Sequence, residues 1–415
     1  MRPEDITYLA FEGGGGKGYA YLGALKVLQE AKILERVRGY AGASAGGITA
    51  FLLSIGYDVK ELEVFLALDF DVFWEAPRYK NTPRLMPRVG RDYESIDDSR
   101  QETSLTSAFA VLQLATAWFF TSVLPIVVPF KQKQPFATLI AEFPRLLAYW
   151  GRDMGLFSGN APREMFGSAL GAKTEKKRKE LQDQGTPIPD SLQRFNKFLT
   201  FKQHKEIFET ILVLTGTNLS TGRTEVFSAT ATPNFPVIDA VRITMGLPFI
   251  FKPYVIDKAT AGWPPCGVYV DGGLWNNAPF REFEGEGLGS LFTPRTGAPP
   301  GPLAVEKTLL MRLEVNPSDK VESLVDLLRV TAKNGVFGCG ESQVNRRYAS
   351  QAIILDTEGL SLVDFNPPKD VKVRVEKRAK RWTRAYFNLP ADSADADKAD
   401  DDATISRRAA KQAIY

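Results

Sequence analysis

The stretch that decides the fold lies at 6–24 and reads ITYLAFEGGGGKGYAYLGA. Its first six residues are mostly apolar, with the β-branched and aromatic side chains that are typical of a short buried strand. Leucines then recur at helical spacing at Leu22, Leu25 and Leu28, so the pattern predicts a helix over 19–33. Consecutive glycines join the two elements. Glycine loses more backbone freedom on folding than any other residue, so we expect this loop to need a close backbone approach that side chains would prevent.

A second strand and a second helix follow directly. The short segment 39–42 (GYAG) is predicted to be a strand, and the apolar segment from Gly46 is predicted to be a helix that ends at Gly56. Further strands are predicted at 208–218, 224–228, 267–271 and 307–316. Strands that alternate with helices predict an α/β fold with a mainly parallel central sheet and helices on both faces.

Three roles compete for the glycine loop: a phosphate-binding loop, a dinucleotide-binding loop, or backbone N–H groups that face a reacting oxygen. The phosphate-binding pattern fails, because with Lys17 as its lysine it needs a glycine at Phe11 and a hydroxyl residue at Gly18. The dinucleotide pattern G-x-G-x-x-G fits Gly13, Gly15 and Gly18. That pattern also requires an acidic residue after the second strand, where this sequence has GASAG instead.

The GASAG segment (42–46) matches the G-x-S-x-G turn, in which a serine nucleophile stands at a sharp strand-to-helix junction. The small residues Gly42 and Gly46 allow the tight turn, and the start of the following helix favours negative charge near Ser44. A serine nucleophile also needs donors for the oxyanion that forms in the transition state. The candidate donors are the backbone N–H groups of the loop residues Gly13, Gly14, Gly15 and Gly16.

The chain of 415 residues contains a single histidine, His204, so a serine–histidine–aspartate triad would have to use it. His204 lies between charged residues in FKQHKEIF, which favours a surface or loop position over a catalytic one. Asp271 is the better candidate base, because it ends a predicted strand and precedes two glycines. An aspartate with the ordinary pKa of about 3.9 is a weak base for an alcohol. We therefore expect burial to raise the pKa of Asp271.

Composition argues against several classes of function and partner. A formal net charge of +3 gives no electrostatic basis for a nucleic-acid partner. Two cysteines, Cys266 and Cys339, imply no disulfide framework and favour a reducing compartment. With one histidine and two cysteines a metal site would be unusual, so we expect neither a metal nor a cofactor. The N-terminus shows no secretory signal, so we expect a cytoplasmic or peripheral membrane location, with secretion by another route left open.

Three ordered motifs resemble the patatin-like phospholipase family, and its bacterial members in particular: GGGGKG (13–18), GASAG (42–46) and DGG (271–273). Neighbouring segments are similar to the family too, among them TNLSTGRTEVFS (217–228), AVRITMGLPFIFKP (240–253) and YVDGGLWNNAP (269–279). The likeness covers roughly 6–70, 151–279 and 309–364. Glu12 departs from the pattern, since many members have aspartate at that position.

The resemblance implies a three-layer α/β domain over 1–390 that cleaves acyl esters of phospholipids or related lipids, as a phospholipase A or lysophospholipase does. In that scheme Ser44 attacks the ester carbonyl, Asp271 takes its proton, and the glycine loop holds the oxyanion. The residues implied to support the site are Lys17, Gly18, Gly42, Gly46 and Gly272. Two rival functions stay open: a dinucleotide-dependent oxidoreductase, and a catalytically inactive relative that binds membranes.

Two segments fall outside the resemblance. The segment 71–150 is predicted to be an inserted cap or lid, and its part 105–130 contains no charged residue. Three structures suit 105–130: a membrane span, a buried or cap helix, or a lid that lies in the membrane interface. The acidic, low-complexity segment 391–415 is predicted to be a disordered tail. The expected partner is a lipid ester, with membrane contact through 105–130 as a hypothesis, and the oligomeric state stays open.

Overall fold

The computed structural model describes residues 1–68, 154–193, 196–285, 304–313, 346–357, 360 and 367–390. Its strands are β1 (Tyr8–Phe11), β2 (Gly39–Gly42), β3 (Gly155–Phe157), β4 (Ile211–Asn218), β5 (Arg223–Phe227), β6 (Phe249–Phe251), β7 (Tyr254–Ile256), β8 (Gly267–Asp271), β9 (Thr308–Leu313) and β10 (Ala352–Leu355). Its α-helices are α1 (Ala20–Glu30), α2 (Ser44–Ser54), α3 (Val59–Leu66), α4 (Asn160–Asp183), α5 (Phe201–Phe208), α6 (Val237–Thr244) and α7 (Lys369–Tyr386). The segments 71–150, including 105–130, and 391–415 lie outside the described residues.

Within the described ranges, the central sheet has eight strands in the order β10-β9-β1-β2-β4-β8-β7, with β5 paired to β4 as well. Neighbouring strands from β10 to β4 are parallel, whereas β8, β7 and β5 pair antiparallel with their neighbours. A separate pair is formed by β3 and β6. The sheet is therefore mainly parallel, as the sequence predicts, with an antiparallel edge that the sequence did not indicate.

The register of the central strands brings the predicted motifs together at the carboxyl ends of β1 and β2. Phe11 at the end of β1 pairs with Gly42 at the end of β2, and Gly42 pairs with Leu214 of β4. The loops that follow β1 and β2 therefore begin side by side. β4 continues past this level, and its Gly216 pairs with Asp271. Asp271 thus reaches the same end of the sheet although β8 runs in the opposite direction to β4.

Alternate side chains of the strands enter two separate apolar clusters. Leu9 and Phe11 of β1 belong to the larger cluster, which includes buried side chains of every α-helix that the structure describes. Tyr8 and Ala10 point to the other face, where short 3₁₀ segments supply Phe283, Val305 and Tyr348. Period-two alternation across the sheet therefore builds a core on each face, which gives the three-layer α/β fold.

Helix α1 and the C-terminal helix α7 pack against each other closely enough to require a glycine. A Cβ on Gly23 would collide with the backbone carbonyl of Glu376 in α7. Among the described residues, no helix is both long enough and apolar enough to cross a membrane.

Candidate active site

Ser44 stands at the sharp turn between β2 and α2. It is the first residue of α2 and has a φ of +51°, a left-handed conformation that is uncommon for a residue with a side chain. The turn leaves no room for larger neighbours: a Cβ on Gly42 would collide with the backbone of Gly46, and one on Gly46 would collide with the carbonyl of Phe11. A strained serine that tight packing holds in place is the geometry of a nucleophile turn.

The backbone of Ser44 is fixed by a residue that the sequence analysis missed. Its N–H donates to the hydroxyl oxygen of Thr244, at a distance of 3.1 Å. Thr244 is the last residue of α6 and is completely buried. Its methyl group also limits the space at Gly47, where a Cβ would lie 2.7 Å from Thr244 Cγ2. Ser44 and Gly47, in the first turn of α2, thus contact a helix 200 residues further along the chain.

Asp271 ends β8 with a side chain that is only 1% exposed. Burial raises the pKa of Asp271 to about 7, which confirms the expected direction. The Gly273 N–H donates to Oδ1 at 2.7 Å, and this bond and the nearby Ser44 hydroxyl both oppose the rise. At neutral pH this carboxyl is therefore poised between its protonated and ionised forms, as a general base requires.

The glycine loop lies directly beside Ser44, since a Cβ on Gly13 would be 3.0 Å from the Cβ of Ser44. The Gly13 N–H, however, already donates to the backbone carbonyl of Asn277 at 2.8 Å. This narrows the predicted oxyanion donors to the N–H groups of Gly14, Gly15 and Gly16. Gly15 and Gly16 open the 3₁₀ segment Gly15–Tyr19, and the first N–H groups of a helix lack partners within it.

The predicted supporting residues pack the loops together. A Cβ on Gly18 would be 3.3 Å from the Cβ of Ala45, and one on Gly272 would collide with the backbone carbonyl of Thr215. Lys17 donates its N–H to the Gly14 carbonyl at 3.1 Å, which helps to form the loop. Desolvation raises the pKa of the buried Glu12, and the charge of Lys17 is the smallest of the effects that oppose this rise.

His204 was expected at the surface or in a loop, and this prediction was wrong. His204 lies within α5, is 1% exposed, and its Nε2 is 2.9 Å from the hydroxyl oxygen of Ser54. Burial lowers the pKa of His204 to about 3, so its ring is neutral at physiological pH. Ser54 ends α2 and Ser44 begins it, so they are about 15 Å apart along the helix axis at 1.5 Å per residue. The structure therefore does not bring His204 to Ser44.

An apolar cavity of about 70 Å³ begins at the glycine loop and extends between α1, α2 and α3. Gly15, Gly16 and Ala45 line it near Ser44, and Leu62, Phe65 and Leu66 of α3 line its other side. Aliphatic side chains of α1 and α2 form the walls between them. Such a cavity suits a hydrocarbon chain, because apolar surface is stabilised when it leaves water. Among the described residues, no cluster of three or more His, Cys, Asp or Glu side chains is placed to hold a metal ion.

Relatives of the chain include two viral proteins. "Probable lipid hydrolase 463L" of Invertebrate iridescent virus 6 is 22% identical over 279 residues, which are 67% of this chain and 63% of that protein. The match thus spans less than two thirds of that relative. "Uncharacterized protein R571" of Acanthamoeba polyphaga mimivirus is 23% identical over 368 residues, which are 87% of each chain.

Two solved structures are also similar. VipD from Legionella pneumophila has a TM-score of 0.45 at 16% identity, over 92% of this chain and 67% of that one. Full-length ExoU from Pseudomonas aeruginosa, in complex with SpcU, has a TM-score of 0.44 at 16% identity, over 94% of this chain and 54% of that one. The model of the patatin-like phospholipase family matches residues 9–284, from β1 to beyond Asp271. By that match, this chain belongs to the patatin-like phospholipase family.

Proposed function

We propose that this protein is a serine hydrolase that cleaves ester-linked fatty acyl chains of phospholipids or related lipids. One observation carries the proposal: a buried carboxyl with a pKa of about 7, at Asp271, lies beside a serine at a strained strand-to-helix turn. Membership of the patatin-like phospholipase family supports it, as does the name of the iridescent virus relative, a probable lipid hydrolase.

The first half of the reaction transfers the acyl chain to the enzyme. Ionised Asp271 accepts the proton of the Ser44 hydroxyl as Ser44 Oγ attacks the ester carbonyl carbon. The negative charge that develops on the carbonyl oxygen is held by N–H groups of the glycine loop, at Gly14, Gly15 and Gly16. Asp271 then gives the proton to the leaving alcohol. In the second half a water molecule attacks the acyl-enzyme and releases the fatty acid.

The cavity between α1, α2 and α3 is the proposed site of the acyl chain. It begins at the same glycines that are proposed to hold the oxyanion, so a chain inside it would place its carbonyl near Ser44. The fatty acyl part of the substrate then supplies most of the binding energy, at about 0.8 kcal/mol for each buried methylene. We place the enzyme in the phospholipase A or lysophospholipase class, and we propose that 105–130 contacts the membrane.

The test is release of free fatty acid from phosphatidylcholine vesicles and from lysophosphatidylcholine. The full chain is compared with Ser44→Ala, Asp271→Asn and the matched control Ser54→Ala. Ser54 is a buried serine at the opposite end of the same helix. We expect fatty acid release by the wild type and by Ser54→Ala. The release rate should fall at least 100-fold in Ser44→Ala, which lacks the nucleophile, and in Asp271→Asn, which lacks the general base.

Three outcomes would contradict the proposal. Equal fatty acid release by wild type and Ser44→Ala would remove Ser44 from the reaction. A folded wild type that releases no fatty acid from either lipid would favour an inactive, membrane-binding relative. Saturable binding of NADH, followed by its fluorescence and lost when Gly15 is replaced by valine, would favour a dinucleotide-dependent oxidoreductase.

A further inference from the structure

Asn277 connects the two loops of the candidate site and was not among the residues that the sequence analysis selected. It lies six residues after Asp271 and is only 4% exposed. Its side-chain Nδ2 donates to the Gly13 carbonyl at 2.9 Å, and its backbone carbonyl accepts the Gly13 N–H at 2.8 Å. Asn277 thus holds the start of the glycine loop from both sides, 264 residues away along the chain.

The other side-chain atom of Asn277 has no such partner. Its Oδ1 is buried and accepts no hydrogen bond from any residue that the structure describes. The donation from Nδ2 to a carbonyl oxygen fixes which end of the amide is the oxygen, since a carbonyl needs a donor. Buried polar atoms nearly always have partners in folded proteins, so an exception of this kind calls for a specific cause.

This oxygen faces the reacting groups. A Cβ on Gly13 would collide with it and lie 3.0 Å from the Cβ of Ser44. A Cβ on Gly273 would lie 2.5 Å from it and 3.1 Å from Asp271 Oδ1. Oδ2 of Asp271 is a second buried acceptor without a partner of ordinary hydrogen-bond geometry among the described residues. Asn277 Oδ1 therefore lies close to both Ser44 and the Asp271 carboxyl group, and each of the two side chains, Asn277 and Asp271, has one buried oxygen without a partner.

The proposed reaction explains why two acceptors are needed there. In the free enzyme the Ser44 hydroxyl lies near the Asp271 carboxyl group, where its hydrogen favours the ionised form. In the acyl-enzyme Ser44 Oγ is esterified and has no hydrogen to donate. A molecule that replaces it must satisfy both acceptors with its own hydrogens, and water has two.

Resting on the proposed function, we propose that Asn277 Oδ1 holds the water molecule that hydrolyses the acyl-enzyme. One O–H of this water donates to Asp271 Oδ2 and the other to Asn277 Oδ1, which directs the lone pair of the oxygen at the acyl carbon. The water oxygen bonds to that carbon while its proton passes to Asp271 Oδ2. The tetrahedral intermediate then breaks its bond to Ser44 Oγ, which takes the proton back from Asp271. The products are the free fatty acid and the Ser44 hydroxyl.

A role in holding Gly13 alone would have a different kinetic effect. The glycine loop stabilises the oxyanion in both half-reactions, so a displaced loop would slow acylation and deacylation together. Loss of the water acceptor slows deacylation alone. The ratio of the deacylation to the acylation rate constant therefore separates the two roles.

The experiment measures both rate constants with a p-nitrophenyl acyl ester. Acylation is followed as p-nitrophenolate release with enzyme in excess, and deacylation as loss of the acyl-enzyme mass after acid quench. The variants are Asn277→Ala, which removes Oδ1 and Nδ2, and Asn277→Asp, which keeps an acceptor oxygen but loses the donor to Gly13. The matched control is Asn276→Ala. Asn276 is equally buried and also has an unpaired Oδ1, but its Nδ2 donates to Glu282 at 2.9 Å.

We expect the ratio to fall about 10- to 100-fold in Asn277→Ala, which corresponds to one buried hydrogen bond left unmade. The ratio should stay within about threefold of the wild type in Asn277→Asp, which keeps an acceptor oxygen, and in Asn276→Ala, which leaves Asn277 unchanged. Because both steps use Asp271, a change in the pKa of Asp271 cancels in the ratio. If Asn277→Ala does not fold, Asn277→Ser takes its place and the same fall is expected.

An unchanged ratio in Asn277→Ala, with or without equal slowing of both steps, would overturn the inference and leave the proposed function intact. A similar fall in Asn276→Ala would overturn it as well, since that side chain bonds away from Gly13. A wild type that is never acylated would overturn both the inference and the proposed function.

Discussion

Replacement of Asp271 with asparagine is expected to stabilise the folded protein at alkaline pH while it abolishes hydrolysis. The side chain is almost fully buried, and its pKa is raised from the ordinary 3.8 to about 7. Asparagine has nearly the same shape, can still accept the Gly273 N–H, and carries no charge that burial would penalise. A catalytic base that is poorly solvated thus destabilises the fold that contains it.

The size of the effect follows from proton linkage. The folded pKa lies above the unfolded one, so between about pH 4 and pH 7 the folded state binds more protons than the unfolded chain. The free energy of unfolding therefore falls as pH rises through this interval. Each unit of pKa corresponds to about 1.36 kcal/mol, so the full difference above pH 7 is about 4 kcal/mol. Between pH 5.5 and pH 8 the advantage of Asp271→Asn should grow by about 2 kcal/mol.

The assay is urea unfolding of wild type, Asp271→Asn and Ser44→Ala at pH 5.5 and pH 8. Ser44→Ala is the control, because it is expected to be inactive yet retains Asp271 and so retains the pH dependence of the wild type. Unfolding free energies of Asp271→Asn and wild type that differ by the same amount at both pH values would refute the reasoning. They would mean that Asp271 is ionised as readily in the folded state as in the unfolded chain.

Three further predictions concern catalysis. The kcat/KM of the wild type should rise with pH through an acid limb at about pH 7, because Asp271 must be ionised to accept a proton; a limb near pH 4 would contradict this. Ile48→Trp should fill part of the cavity and lower kcat/KM for long acyl esters roughly fourfold for each methylene displaced, while kcat/KM for acetyl esters stays unchanged. An equal loss of kcat/KM for long and short esters would argue against an acyl site there. Thr244→Val should lower kcat about tenfold with KM unchanged, because it removes the acceptor of the Ser44 N–H, whereas Thr244→Ser should keep most of the activity. Equal activity of the two variants would contradict a role of Thr244 in holding the Ser44 backbone.

Local sequence was sufficient to predict the strand, glycine loop and helix at the N-terminus. The observed bounds, Tyr8–Phe11 and Ala20–Glu30, lie inside the predicted ones because terminal residues lack the ladder and helical hydrogen bonds. The GASAG turn was also predicted, but α2 begins at Ser44 rather than at Gly46. The first turn of α2 includes Ser44 because tight packing around the turn holds Ser44 at a positive φ. The spacing of apolar residues in the sequence does not reveal such packing.

Long-range contacts account for what the sequence did not predict. Asp271 lies at the end of a strand, as predicted, but β8 is antiparallel to β4 and reaches the site because β4 is longer than β2. His204 was misplaced because its charged neighbours suggest a surface position, although Phe201, His204 and Ile207 are all buried in the structure. The spacing of these three residues places them on one face of a helix, and this pattern could have predicted the buried position of His204.

Thr244 and Asn277 were missed for a related reason. Each forms a hydrogen bond to a residue far earlier in the chain, 200 residues away for Thr244 and 264 for Asn277. No spacing rule predicts such a pair. Both lie in segments that resemble the family, 240–253 and 269–279, and polar residues in those segments were the only indication in the sequence.

Labelling with a fluorophosphonate, which reacts with activated serines, tests the central claim most directly. The folded wild type should acquire one phosphonate group on the peptide that contains Ser44, as found by mass spectrometry, and Asp271→Asn should be labelled at least 100-fold more slowly. Ser44→Ala should acquire none. Absence of label from the folded wild type, or a label that persists in Ser44→Ala, would contradict the claim that Ser44 is the nucleophile.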